Sequence, residues 1–141
     1  MIKVAIDYAK SMGVAWMYPG GTQINFATVV GNQFEHLHFV KSLLHGWDCE
    51  LFVEELNFFR NAKTVRSLLL RTGFVVYSVS KNPTFISTSQ PRKHLGCKNK
   101  KEVFDLLKNY GARNTDESDA IAILLYASGL KPEGVTFYGY D

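Results

Sequence analysis

Eight consecutive residues near the C-terminus, Ala120 to Ala127, read Ala, Ile, Ala, Ile, Leu, Leu, Tyr, Ala. Their pattern predicts a helix from Asn114 or Thr115 to about Ser128 that is apolar around its whole circumference. Such a helix has to be largely covered by the rest of the chain. Two acids interrupt this picture. Asp116 and Asp119 are three apart and so share a face, and Asp119 projects at about the same angle as Ile123 and Tyr126, inside the covered helix. A first-turn charge explains Asp116, because a helix N-terminus favours acids, and Asn114 with Glu117 has capping-box spacing. Neither argument accounts for Asp119.

The remaining 126 or so residues supply what covers that helix, and 141 residues suffice for one domain, residues 1–141, with a real core. Ile2 to Asp7 reads as a first strand, Val14 to Tyr18 as a second, and Thr22 to Val30, after the turn Pro19-Gly20-Gly21, as a third pairing back on the second. A helix is predicted from Asn32 to His45, with Phe34, Leu37, Val40 and Leu44 on its apolar stripe. Cys49 to Leu56 is a strongly apolar fourth strand, Asn61 to Arg71 a basic helix capped by Gly73, and Phe74 to Val79 a fifth strand. Between Lys81 and Asn99 the prolines Pro83 and Pro91 limit regular structure, leaving a short helix over Pro83 to Thr88. Lys100 to Tyr110 is a helix ended by Gly111, and the tail beyond Pro132 has room for a small strand. This order predicts an α/β fold: a five-stranded mixed sheet, antiparallel over its first three strands, with helices on both faces.

Charge is divided unevenly along the chain. Residues 56–101 contain no acid and ten bases: Arg60, Lys63, Arg66, Arg71, Lys81, Arg92, Lys93, Lys98, Lys100 and Lys101. The rest carries six bases against thirteen acids. A basic tract of this kind suits a phosphate backbone, on which many weak contacts add through counterion release. Arg60, Lys63, Arg66, Arg92, Lys93, Lys98, Lys100 and Lys101 are the candidate nucleic-acid contacts.

The acids outside the tract supply the chemistry. Asp7 ends an otherwise apolar strand, where a buried carboxylate needs compensation. Glu54 and Glu55 end another, and since neighbours on a strand face opposite sides only one of them can share a site with Asp7. Carboxylates gathered with Asp116 and Asp119 would repel one another unless they took up protons or a cation. Oxygen ligands alone favour Mg2+ or Mn2+, and two such ions about 4 Å apart can activate water and steady the leaving oxygen of a phosphodiester. Other chemistries find no support: there is no GxGxxG, GxxxxGK or GxSxG motif, and Cys49 and Cys97 are too few for a disulfide scaffold or a zinc site. His36 and His38 read as surface or half-buried side chains. His94 is a phosphate contact by its place in the basic run. Stretches of 18 apolar residues and a secretory leader order are both missing, so the expectation is a cytoplasmic protein with no membrane partner.

In this order the acids give the chain a resemblance to the RuvC-like Holliday junction resolvases, especially their compact bacteriophage members, within the ribonuclease-H-like fold. It is carried by the opening strand ending in Asp7, by Val53-Glu54 with Asn61-Ala62 and Gly73 after it, and by Asp116-Glu117-Ser118-Asp119-Ala120-Ile121-Ala122-Ile123, which is similar to the family's closing DxxDAxAxA signature. The resemblance selects Glu54 over Glu55. It also matches Lys100, just before Val103, to a lysine the family keeps near the scissile phosphate, and Lys93, before Gly96, to a second base. It implies a homodimeric crossover junction endodeoxyribonuclease in which Asp7, Glu54, Asp116 and Asp119 hold two Mg2+ or Mn2+ ions per subunit. Lys100 would assist, and four-way DNA junctions would be cut to leave 5′-phosphate ends in the cytoplasm of a bacterial host. The chain departs from the family at Asp7-Tyr8-Ala9, where members have Asp-Pro-Gly or Asp-x-Gly. Tyr8 is therefore expected to touch substrate, and other branched DNA, such as forks or flaps, to be accepted. The alternatives are a related nuclease of broader or RNA-directed specificity, or a non-catalytic protein that binds branched DNA.

Overall fold

The computed structural model describes residues 1–55 and 62–141, with side chains from residue 66 onward in the second stretch. Its sheet has six strands: β1 (Ile2–Tyr8), β2 (Met12–Met17), β3 (Gln23–Val29), β4 (Cys49–Glu54), β5 (Thr84–Ile86) and β6 (Thr136–Gly139). Their order across the sheet is β5-β4-β1-β2-β3-β6. β1, β2 and β3 form the antiparallel meander, while β4 runs parallel to β1, β5 parallel to β4 and β6 parallel to β3. The mixed sheet expected from the sequence is therefore present, with the tail adding a sixth strand.

Helices cover both faces. On one lie α1 (Gln33–Leu44) and α2 (Ala62–Val79), packed on Val4, Ile6, Tyr8, Val14 and Trp16. On the other lie α3 (Ser89–Leu95), α4 (Lys100–Leu107, continued by a 3-10 turn at Lys108–Tyr110) and α5 (Thr115–Ser128). α5 runs across β1, β2 and β3. Ile121, Ile123, Leu124 and Leu125 are at most 2% exposed, and burial of each is worth about 1.5–3 kcal/mol. The helix that is apolar on all sides is covered on all sides, and Ala5 and Ala15, paired in register beneath it, let it lie close to the sheet.

Three expectations for the middle of the chain are corrected. Phe74 to Val79 is the second half of α2, and Gly73 lies inside that helix. The buried positions Thr72, Val75 and Val76, with half-buried Val79, follow a period of three and four, whereas a strand would bury alternate residues. β-branched composition is overridden here by tertiary packing. The segment proposed as a helix over Pro83 to Thr88 instead holds β5, and helix α3 follows it. Pro91 sits in the first turn of α3, where its missing N–H costs no helical hydrogen bond.

α1 keeps Leu37, Val40 and Leu44 of its predicted stripe against the core and departs from expectation at two positions. Phe34 is exposed, and His36, expected at or near the surface, is fully buried. Its Nδ1 pairs with the Tyr8 hydroxyl at 2.6 Å, which offsets part of the cost of burying an imidazole. Burial, and then the positive charge of Arg71, lower the His36 pKa, so the ring is neutral. Asn32 closes a full capping box with Glu35.

The register of α2 yields a test. Val76→Ala is expected to destabilise the protein by about 2 kcal/mol, as a buried truncation does, while Tyr77→Ala on the outer face changes stability by less than about 0.5 kcal/mol. Denaturant unfolding of the two variants measures the difference; equal costs would contradict the helix.

Candidate active site

Asp7, Glu54 and Asp119 each offer a carboxylate oxygen, and these oxygens all lie within 4.8 Å of one another. Strand parity and register explain the meeting. Asp7 follows Ala5 on the face toward α5, and Glu54 follows Phe52 on that same face. Glu55 therefore points the other way, which resolves the choice that strand reading leaves open. β1 and β4 are parallel with Ile6 opposite Val53, so Asp7 and Glu54 come one step later, at the C-terminal ends of adjacent strands. Open α/β sheets bind ligands at such ends. α5 supplies the third acid, Asp119, from the start of its second turn.

Asp116 is not one of the three. Its backbone lies against β2, and burial, opposed by Lys100 and reinforced by repulsion from Glu54, raises its carboxyl pKa. Glu117, the expected capping-box partner, is fully buried and used elsewhere. Asn114 caps the helix by accepting from the Glu117 N–H, but the Glu117 carboxylate accepts from the Arg113 guanidinium (2.8 and 3.0 Å), the Arg113 N–H and the Thr28 hydroxyl. Burial alone would raise its pKa; the Arg113 and Thr28 hydrogen bonds bring it below the usual range. This network fastens the start of α5 to β3, and Arg113 extends it to the Tyr140 carbonyl and Asp141.

The acidic trio is electrostatically tense. Asp7 is 5% exposed, and its pKa is raised well above 3.8, first by burial, then by a hydrogen-bonding contact with Glu54 and by repulsion from Glu54 and Asp119. Burial also raises the Asp119 pKa, against the pull of Lys100. Lys100 Nζ stands 2.9 Å from Asp119 Oδ2, an ion pair at hydrogen-bond distance on the edge of the trio. Burial works against the Lys100 charge, yet Asp119, Asp7 and Glu54 together raise its pKa. Three hard oxygen ligands this close, with one lysine ammonium between them, fit a hard divalent cation such as Mg2+ or Mn2+.

The predicted basic contacts separate by position. Arg92 is half-buried and, with Glu54, Asp119, Ser87 and Thr88, lines a small open cleft beside the trio. Lys93, Lys98 and Lys101 are exposed around α3 and α4, and Arg66 is exposed on α2. Arg92 rather than Lys93 is thus the second base next to the acids. Both stand in the basic tract, and only the pose of α3 distinguishes them. Arg60 lies outside the described residues, as does the Lys63 side chain. Tyr8 does not face the acids: it is 4% exposed, on the α1–α2 side of the sheet. His94 is also occupied, with Nε2 2.8 Å from the Leu130 carbonyl.

No family profile matches the chain, and no curated protein matches it. Solved structures do. A structure of T. thermophilus RuvC in complex with a Holliday junction substrate aligns with a TM-score of 0.72 at 18% identity, over 91% of this chain and 92% of that one. A second Thermus thermophilus RuvC structure aligns with a TM-score of 0.62, also at 18% identity, over 91% of this chain and 93% of that one. The chain has a RuvC-like fold. The RuvC likeness extends across nearly all of both chains. Among the described residues no helix is long and apolar enough to cross a membrane.

The raised pKa of Asp7 sets a pH dependence. A carboxyl with a higher pKa folded than unfolded makes the native state bind more protons, so stability falls as pH rises from about 4 and levels off above the folded pKa. Asp7→Asn removes that penalty. In chelator at about pH 7.5 it is expected to raise the melting temperature by roughly 3–6 °C, the gap narrowing toward pH 4. Thermal melts over that range check it; a variant that melts lower at neutral pH contradicts the geometry.

Proposed function

We propose that the protein is a metal-dependent endonuclease that resolves four-way DNA junctions. The observation that carries this reading is the convergence of Asp7, Glu54 and Asp119 from two strands and a helix, flanked by Lys100 and Arg92 on an acid-free basic tract. The RuvC-like fold supports it, since the neighbour of highest TM-score named above is a RuvC bound to a Holliday junction.

Asp7, Glu54 and Asp119, joined by Asp116 one turn earlier on α5, would hold two divalent ions, Mg2+ or Mn2+. Such ions supply a bound water of lowered pKa and a counter-charge for the leaving 3′ oxygen. The chain's own groups do the rest. Lys100 presents its ammonium at the edge of the trio, where it offsets negative charge on the phosphate oxygens as water attacks in line. Arg92, across the cleft, performs the same service from α3 and orients the phosphate by its planar fork. Lys93, Lys98 and Lys101 hold the flanking backbone without reading sequence. Hydrolysis leaves a 5′-phosphate and a 3′-hydroxyl.

A two-fold dimer would bring two such sites to symmetric strands of one junction. Its support is the apolar surface of α1 and α2, where Phe34, Leu70, Phe74 and Tyr77 are exposed and the Phe34 and Phe74 rings meet edge to face.

The test is incubation of the purified protein with a mobile four-way junction, a flap, linear duplex and an RNA–DNA hybrid, with Mg2+, Mn2+ or chelator. Paired symmetric nicks in the junction, dependent on metal, are expected. Cleavage of the hybrid alone would replace the reading with an RNA-directed one, and tight junction binding without cleavage would make the protein a binding module. Asp119→Asn is expected to lower junction cleavage by at least about 10³-fold with junction affinity and melting temperature retained, and Asp116→Asn to lower it less. Changing Lys98 and Lys101 together to Gln should weaken binding on all DNA and reduce the slope of log affinity against log salt by about 2; an unchanged slope would remove them from the interface.

A further inference from the structure

We propose that Gly13 is a positioning residue, fixing how closely the acids of α5 approach the acid of β1. Resting on the nuclease reading for its catalytic consequence, the proposal is geometric in itself. Gly13 is the direct partner of Asp7 in the β1–β2 ladder, and both face α5. A Cβ at this position would lie 2.1 Å from the Asp116 carbonyl oxygen and 2.5 Å from its carbon. Its φ is not in the left-handed region, so the requirement is for space and not for backbone freedom.

Two other glycines are crowded, but differently. A Cβ at Gly31 would meet the Glu35 carboxylate at 2.7 Å, and one at Gly139 the Phe26 ring at 2.9 Å; both neighbours are side chains. The neighbour of Gly13 is the backbone of a helix. No side-chain rotation relieves such a contact, and Glu117, paired with Arg113 and Thr28, and the buried Ile121 to Leu125 hold the helix in its present seat. The thickness of residue 13 therefore sets the height of the first turn of α5 above Asp7. Asp119 stands one turn further along, its oxygen within 4.8 Å of those of Asp7 and Glu54. Relieving the overlap needs a shift of about 1 Å, and a displacement of that size at a catalytic centre costs on the order of 10²-fold in rate.

The experiment compares wild type, Gly13→Ala and Gly134→Ala, the last with open space at its Cβ. Crystal structures, Mn2+ titration by calorimetry and single-turnover junction cleavage are measured on each. In Gly13→Ala the first turn of α5 is expected to stand about 1 Å further from β2, Mn2+ affinity to fall about tenfold and the cleavage rate about 10²-fold. Junction affinity in chelator should be unchanged, and Gly134→Ala should match wild type throughout. An unmoved helix, or a moved helix with wild-type Mn2+ affinity, overturns the proposal. A wild type that cuts no DNA defeats the nuclease reading alone, and the displacement with its Mn2+ affinity still decides the role of Gly13. If Gly13→Ala does not fold, the same change is made in the Asp7→Asn background, where the buried charge is gone, and the crystal displacement decides. Misfolding in both backgrounds makes Gly13 a requirement for folding and overturns the positioning role.

Discussion

Helix α5 has no polar face between Ala120 and Leu125, and covering it against β1, β2 and β3 determines where the carboxylates of its first turns lie. The hydrophobic gain from that burial acts along the whole helix, whereas the repulsion among Asp7, Glu54 and Asp119 acts only at its N-terminal end. Packing therefore holds acids at distances they would not choose. The Glu117–Arg113–Thr28 network reinforces the seat by fastening the same end of the helix to β3 through charge-assisted hydrogen bonds.

The arrangement separates the two faces of the sheet by task. Even-numbered residues of β1 (Val4, Ile6 and Tyr8) bind α1 and α2, while Ala5 and Asp7 face α5. Tyr8 and His36 anchor the end of β1 from behind with a buried hydrogen bond, directly after the residue that carries the buried carboxyl. The strand end is thus held from one side by neutral polar pairing and loaded from the other with charge. Stability is given up at the acidic trio, a cost that binding of the proposed cation would offset.

Much of this was legible in the chain itself. Asp119 within an all-apolar helix, Asp7 at the end of an apolar strand and the acid-free tract from 56 to 101 each point to one site from local arguments alone. What was not legible depended on tertiary context. The residues Phe74 to Val79 suit strand and helix alike in composition, and only packing against the sheet decides for the helix. His36 reads as polar until Tyr8 supplies its partner. Glu54 and Glu55 cannot be separated by alternation without knowing which face Phe52 takes. Arg92 and Lys93 are indistinguishable as bases until the pose of α3 turns one toward the cleft. Gly13 carried no signal of its own, because its role lies in contact with a backbone more than 100 residues away.

The most direct measurement is a crystal structure with Mn2+ and anomalous diffraction at the manganese edge. Anomalous density is expected among the oxygens of Asp7, Glu54 and Asp119, at distances of about 2.1–2.3 Å, and is expected to be lost in Asp119→Asn. Density elsewhere on the surface, with the three carboxylates unliganded at saturating Mn2+, would contradict the proposed metal site.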